Sequence, residues 1–450
     1  ITKLTREDCR EFIEKRLFEP VSLPGRKLDT AVGWVGVELE SFPYRIAKQS
    51  AKGAIPVPLY GGPESLMNSL LRVCQPHGCK LSFWENSGEV KKIEFPDGDR
   101  LLFEPGGQVE ISTTPCDNMH SLKSHLDSKQ ALLQQLTVEH SIHFLQAGTH
   151  PWFTVEEIGN QLKEPRYLAL EKYFDDISPY GKQMMLQTGS LHINLDLGKD
   201  ETIRVKRILA ANLLVPLVTA LFGNSASIGG VAPKYKSHRS FLWQHLDEKR
   251  TGILFLNKTS GSFTKDDLVD EYLEFALNAP LVFIRKLGNH ALPRDFTMQY
   301  WLNNAIDGEH PDLSDFENHL SLLFPEVRLK GYLEMRSVDA PPPGYELVPV
   351  IFYAGMLYND ETLDKALDLL IPQAPTISSG FKEAMMGLTS DHMFDISKKL
   401  VRLAIDGYAA LHPEFRGEIY SDQLIDFFQE FTLNRKSFAD IPFNKSLSNS

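Results

Sequence analysis

Leu191-His192-Ile193-Asn194-Leu195-Asp196 alternates aliphatic and polar residues without a break. Side chains at i, i+2 and i+4 share one face of a strand. The segment therefore predicts a strand with an aliphatic face and a second face carrying an imidazole, an amide and a carboxylate. Two other stretches repeat the pattern. Glu38 and Glu40 flank Leu39 within a β-branched, aromatic run from Ala31 to Phe42, and Glu334 and Arg336 flank Met335 within Lys330 to Val338. Glu104 ends a further strand and Glu110 begins the next, joined through Pro105-Gly106-Gly107. Glycines there permit a close backbone approach or an unusual φ, or simply a tight strand connection.

An antiparallel sheet with one wet face also alternates, but with a mixture of Thr, Lys, Ser and Glu. Carboxylates gathered on neighbouring strands repel unless cations hold them. The pattern thus points to a metal-binding cluster of hard oxygen donors and at most one imidazole. That donor set favours Mg²⁺ or Mn²⁺ over zinc. Arg336 beside the carboxylates suits a phosphate or carboxylate clamp.

Around these strands the chain reads as mixed. Thr5-Arg6-Glu7-Asp8 is a capping-box pattern that opens an N-terminal helix. Pro63 suits the first turn of a helix running to about Gln75. Leu81 to Phe103 alternates around Asp97-Gly98, a hairpin signal. Residues 118–144 and Asp200 to Phe222 carry helical spacing, Gln183 to Leu197 reads as strand-like, and the chain from about Ile351 onward is helical. Strands and helices do not follow a βαβ rhythm, so the expected class is α+β, an antiparallel sheet backed by helices with a helical C-terminal region. Residues 1–345 are expected to form the catalytic sheet domain, and 346–450 a helical region packed on it as part of one structural unit.

The 450 residues carry 47 Lys and Arg against 59 Asp and Glu, a net charge of −12. That balance argues against a nucleic-acid surface, which needs basic patches. The apolar stretch from Ile208 to Phe222 is interrupted by Asn212 and Pro216. It is shorter than the roughly 18 residues of a membrane candidate, so it reads as a core helix and no membrane is expected. Four cysteines are too few for a secreted disulfide scaffold. Cys74 and Cys79 flank His77 without a second zinc-spaced pair and read as free thiols at a helix end. The chain begins at Ile1, which leaves upstream residues open; without a visible signal peptide the expected compartment is the cytoplasm, a plastid copy remaining possible. No phosphate-binding Gly-x-x-x-x-Gly-Lys-Ser/Thr loop, Gly-x-Gly-x-x-Gly turn or Gly-x-Ser-x-Gly elbow is present. A nucleotide would have to be held by carboxylate-bound metals on the sheet.

Several segments resemble a known family. Glu104-Pro105-Gly106-Gly107-Gln108-Val109-Glu110-Ile111-Ser112 is similar to the EPGGQ segment of plant-type glutamate–cysteine ligases. Met184-Met185 followed by the strand at 191–196, Ala220-Leu221-Phe222-Gly223-Asn224-Ser225, Arg239-Ser240 through Trp243, and Lys249-Arg250-Thr251-Gly252 resemble further segments of it in order. So do Phe324-Pro325-Glu326-Val327-Arg328-Leu329-Lys330 and Tyr332-Leu333-Glu334-Met335-Arg336. The ergothioneine-pathway glutamate–cysteine ligases share several of these. The resemblance implies a curved antiparallel sheet of the glutamine synthetase catalytic type, with ATP and two or three Mg²⁺ or Mn²⁺ ions. It also implies ligation of the glutamate γ-carboxylate to the cysteine amine through a γ-glutamyl phosphate.

Carried onto this sequence, the resemblance makes Glu38, Glu40, Glu104, Glu110, His192 and Glu334 the metal ligands, with Arg336 steadying the transferred phosphoryl group and Glu334 beside it. Lys330 joins Arg336 on the nucleotide. Arg239, Arg250, Arg166 and Asn194 are the substrate or phosphate contacts. The partners implied are small molecules, glutamate, cysteine and ATP, with the chain a monomer or homodimer. The departures are Glu38-Leu39-Glu40-Ser41-Phe42-Pro43, where the family has EHEKFG and both carboxylates survive, His192, often Gln in the plant enzymes, and Ala340-Pro341-Pro342-Pro343-Gly344-Tyr345, where the family usually has Gly-Gly-Pro-Trp-Arg-Arg. That loop is expected to help shape the acceptor-amine pocket, so a different amine acceptor stays open, as does a non-catalytic binding homologue.

Overall fold

A computed structural model describes residues 3–21, 23, 33–198, 200–256, 263–288 and 292–441, the side chains of 378 and 379 aside. Its strands are β1 (Val35–Ile46), β2 (Ala54–Pro56), β3 (Lys80–Phe83), β4 (Val90–Glu94), β5 (Arg100–Phe103), β6 (Val109–Ser112), β7 (His143–Leu145), β8 (Ser190–Asp196), β9 (Thr251–Gly252), β10 (Phe324–Pro325), β11 (Val327–Leu329) and β12 (Tyr332–Asp339). Ten of them form one sheet in the order β11-β12-β8-β1-β6-β5-β4-β3, with β2 and β7 also on β1. Its pairings are all antiparallel. The remaining two strands, β9 and β10, pair in parallel apart from it.

The period-2 pattern decides which face is dry. Val35, Val37 and Leu39 of β1, Leu191, Ile193 and Leu195 of β8, and Leu333 and Met335 of β12 are all at most 1% exposed. They join a single hydrophobic core that reaches from Leu4 to Phe438. The helices behind it include Met119–His140, Glu201–Leu213 and Val215–Phe222, and, in the C-terminal region, Leu347–Leu357 and Asp391–Ala409. Every residue of Leu347–Leu357 is buried, as its all-round apolar sequence requires. The α+β reading with a helical C-terminal region is what the structure has.

Local readings fared differently. Thr5 caps the first helix, Arg6–Ile13, through a reciprocal bond with Asp8. The hairpin between β4 and β5 turns at Gly98, with φ of +91°. The run from Ala31 begins as strand only at Val35; 31 and 32 lie outside the described residues. Pro63 does not start the second helix, because Ser65 caps Leu66–Cys74 through Asn68 N–H. The strand-like stretch from Gln183 is corrected too: Gly181–Gln187 is a helix, whose apolar Met184, Met185 and Leu186 pack in a second, smaller cluster, and the strand starts at Ser190. Among the described residues no single helix is long and apolar enough to cross a membrane. The one pair that passes together, Glu201–Leu213 and Val215–Phe222, is bent by 48° and is mostly buried core.

Candidate active site

Register places the polar face. Glu38 pairs with His192 across β1 and β8, Glu40 with Glu110 across β1 and β6, Glu334 with Asn194 across β12 and β8, and Arg328 with Glu334 across β11 and β12. A register shift between Met335 and Val338 interrupts the ladder beside Arg336, a local irregularity of the kind often found next to active sites. Glu104 and Glu110 are brought together by the short connection in which Gly107 has φ of +81°. Added bulk there is also excluded: a Cβ on Gly106 would lie 2.2 Å from the Leu186 carbonyl oxygen.

The outcome is a cleft of about 220 Å³. It is lined by Glu38, Glu40, Glu104, Glu110, His192, Glu334, Arg336, Lys330, Arg239 and Arg166 of the expected site residues. Carboxylate and imidazole atoms gather in two triads. Glu38, His192 and Glu334 form one and Glu40, Glu104 and Glu110 the other, each with ligand-capable atoms within 4.8 Å of one another.

The triads differ in their counter-charges. Glu334 is wholly buried and meets Lys330 Nζ at 2.5 Å, Arg336 Nη1 at 3.0 Å and Arg328 Nη1 at 3.4 Å. Burial pushes its carboxyl up, but the three cations outweigh that and hold it well below the usual range. Among the described residues no cation forms an ion pair with the second triad, and Arg336 and Arg166 only partly offset the charge on Glu104. Burial, then the Glu40 charge, pushes Glu104 up to about 8, and burial followed by Glu38, Glu104 and Glu40 raises Glu110 well above an ordinary carboxylate. Glu104 and Glu110, clustered with Glu40, are short of positive charge. They fit a divalent cation with hard oxygen ligands. His192, held neutral first by burial and then by Arg336, fits as the one imidazole donor.

Two expected contacts lie elsewhere. Arg250 is 0% exposed and does not reach the cleft. Its Nε donates to Asp247, Nη1 to the Leu322 carbonyl and Nη2 to the Pro280 carbonyl, and its guanidinium stacks 4.5 Å from the Tyr173 ring. It ties three loops together and is closed off from solvent. Asn194 does not line the cleft; it stands on the same strand face as His192, and its Nδ2 donates to Glu38 at 3.4 Å. Arg239 does line the cleft. Its Nη2 donates to the Arg336 carbonyl at 2.9 Å, and its buried Nε has no hydrogen-bond partner. Arg166 donates to the Ser321 carbonyl at 3.2 Å. None of residues 340–345 lines the cleft; Tyr345 packs instead on Phe431 and Phe438. The expectation that this loop shapes the acceptor pocket finds no support in that placement.

Sequence reasoning gave no role to Arg328, Ser190, Tyr167 or Gln108, which also line the cleft. For three of them a signal was present. Arg328 and Lys330 alternate with Leu329 just as Glu334 and Arg336 alternate with Met335, Ser190 extends the His192-Asn194 face by one step, and Gln108 stands two residues before Glu110 across Val109. Tyr167 obeys no such period and enters through the fold.

Comparison with known proteins bears on the same segments. The model of glutamate-cysteine ligase family 2 matches residues 72–385. The chloroplastic glutamate–cysteine ligases of Brassica juncea and Arabidopsis thaliana are each 33% identical over 298 residues, 65% of this chain and 56% of each relative. That of Medicago truncatula is 33% identical over 273 residues, 60% of this chain and 52% of the relative. The chain thus spans about half the length of these curated relatives. A bifunctional glutathione synthetase structure from Pasteurella multocida aligns over 88% of this chain and 47% of its own, at TM-score 0.43 and 15% identity, too low to establish a shared fold. The relatives correct one expectation: they are chloroplastic, which overturns the cytoplasm as the default compartment. With the family match covering well over half of the chain, and the carboxylates of its segments converging in one cleft, the chain belongs to glutamate-cysteine ligase family 2.

Proposed function

We propose that this chain joins the γ-carboxylate of glutamate to the amine of cysteine at the expense of ATP. The product would be γ-glutamylcysteine, a precursor of glutathione or a related thiol. One observation carries the reading: two carboxylate triads and five cationic side chains, Arg166, Arg239, Arg328, Lys330 and Arg336, line the same small cleft. Phosphoryl transfer runs largely on positioning and charge neutralisation, and this is the inventory it needs.

The assigned roles follow from placement. Glu40, Glu104 and Glu110 are the triad most in need of positive charge, so they are the first position for a divalent metal, Mg²⁺ or Mn²⁺. Glu38, His192 and Glu334 are the second. Metal ions there would neutralise the ATP phosphates. Arg336 and Lys330, both ion-paired to Glu334, are held at the cleft wall as the phosphoryl-steadying cations. Arg239, with an unpaired buried Nε, and Arg166 are the candidates for a substrate carboxylate. The wall formed by Tyr167, Leu170, Met184, Met185, Trp243 and Phe324 keeps water from the acyl phosphate before the amine attacks. Residues 1–345 and 346–450 act as one unit in this reading, supported by their continuous core.

The test is direct. The protein is incubated with glutamate, ATP and Mg²⁺ or Mn²⁺, single amino acids are added, and phosphate release and product mass are followed. Cysteine-dependent γ-glutamylcysteine is the expected result. Turnover with another amine alone would reassign the acceptor, and silence with every amine would make the chain a binding homologue.

A further inference from the structure

Ser190 stands two residues before His192 on β8, and its side chain touches both triads. Its Oγ lies 2.9 Å from His192 Nε2 and 3.1 Å from Glu40 Oε2. Its backbone N–H donates to the same Glu40 oxygen at 2.8 Å. On the other side of the imidazole, His192 Nδ1 is 2.9 Å from Glu38 Oε2. Ser190 is 2% exposed and His192 5%. A continuous chain of contacts therefore runs Glu38–His192–Ser190–Glu40, from one triad to the other.

Counting hydrogens orients that chain. A neutral imidazole carries one N–H and a serine hydroxyl one O–H. Without a cation, Nδ1–H donates to the Glu38 carboxylate, Ser190 O–H turns to Nε2, and Glu40 keeps only the Ser190 N–H. A cation shared by Glu38 and His192 would take the lone pair of Nδ1, the nitrogen that faces Glu38, and would move the imidazole hydrogen to Nε2. Nε2–H would then donate to Ser190 Oγ, and the single hydroxyl hydrogen would be left for Glu40. We propose that Ser190 is a positioning residue that couples the two triads. It fixes His192 in the tautomer that presents Nδ1 beside Glu38, and it aims the Glu40 carboxylate with two hydrogen bonds. The inference rests on the metal-dependent reading of the cleft.

Mn²⁺ alone is the probe, titrated into the full chain without nucleotide and followed by calorimetry and by the electron paramagnetic resonance of the free ion. Ser190→Ala removes the hydroxyl but keeps the N–H bond to Glu40. Mn²⁺ affinity should fall about 10- to 100-fold, the usual consequence of losing a partner of a metal ligand. Ser190→Thr keeps the hydroxyl and should recover most of the loss. Unchanged Mn²⁺ affinity in Ser190→Ala, or no recovery in Ser190→Thr, overturns the coupling role while leaving the ligase reading intact. A wild-type chain that takes up no Mn²⁺ overturns the metal reading itself. Thermal unfolding checks that Ser190→Ala is folded; if it is not, Ser190→Cys, whose thiol is a weak donor and acceptor, should show the same loss of affinity, and unchanged affinity there overturns the proposal equally.

Discussion

Glu40 and Glu110 stand opposite each other on adjacent antiparallel strands, on the same face, and both are less than a tenth exposed. Like charges directly across a ladder are destabilising. Glu334, on β12 and separated from β1 by β8, is fully buried but carries three cations. Two carboxylates in one cleft thus sit in opposite electrostatic conditions, and the same substitution should affect them in opposite ways.

Glu110→Gln should stabilise the metal-free protein, by about 1 kcal/mol, because it removes one member of a repelling cross-strand pair. It should also abolish most of the stabilisation that Mg²⁺ or Mn²⁺ confers and lower turnover by about 100-fold or more. Thermal melts with and without metal, alongside the ligation assay, check both arms. A variant less stable than wild type without metal would contradict the charge imbalance.

Glu334→Gln should destabilise the fold by about 3–5 kcal/mol, since it leaves Arg328, Lys330 and Arg336 buried around a neutral amide. Urea denaturation measures it. Arg336→Lys should be milder in stability but should lower kcat, because an ammonium cannot reproduce the planar fork.

Arg250→Lys should lose about 2–4 kcal/mol, since one ammonium cannot serve Asp247 and two carbonyls set at fork geometry. The surviving folded enzyme should keep its KM for glutamate and for ATP. Arg239→Lys should do the reverse, changing KM or kcat with less effect on stability. A KM change confined to Arg250→Lys would return Arg250 to the site.

Stability should depend on pH through two buried groups of opposite sign, whose windows overlap between about pH 4.5 and 6.5. His319 is fully buried with Nε2 bonded to the Ala276 carbonyl, and burial lowers its pKa to about 4. The unfolded chain binds that proton near 6.5, so stability is full above pH 6.5 and is lost as pH falls toward 4, by up to about 3 kcal/mol. His319→Gln should flatten that limb. Glu104 has the opposite sign. With its pKa raised from about 4.5 to about 8, the folded state holds a proton that the unfolded state has released, so metal-free stability falls as pH rises between about 4.5 and 8. The slope is at most about 1.4 kcal/mol per pH unit. Saturating Mg²⁺ or Glu104→Gln should remove it.

The alternation of Leu191 to Asp196, and its echoes at Glu38-Leu39-Glu40 and Glu334-Met335-Arg336, determined by itself which residues share a strand face. A two-residue period is a property of the local backbone and needs no partner. The sequence likewise set the α+β class, the dry core face and the Asp97-Gly98 hairpin. It could not say that Gly181–Gln187 is a helix, because a short apolar run satisfies a buried helix and a strand equally well. Nor could it tell Arg250 from Arg239. Both are arginines in loop-flanked segments. Only the packing of residues some 30 and 72 positions away surrounds one guanidinium with carbonyl acceptors, while the other, beside Asp339 and the Arg336 carbonyl, lines the cleft. The tertiary structure also decided the charge balance. Strand order and register bring Arg328, Lys330 and Arg336 onto Glu334 and leave Glu40, Glu104 and Glu110 to one another, and Coulomb energies depend on those distances and that burial, which no spacing along the chain encodes.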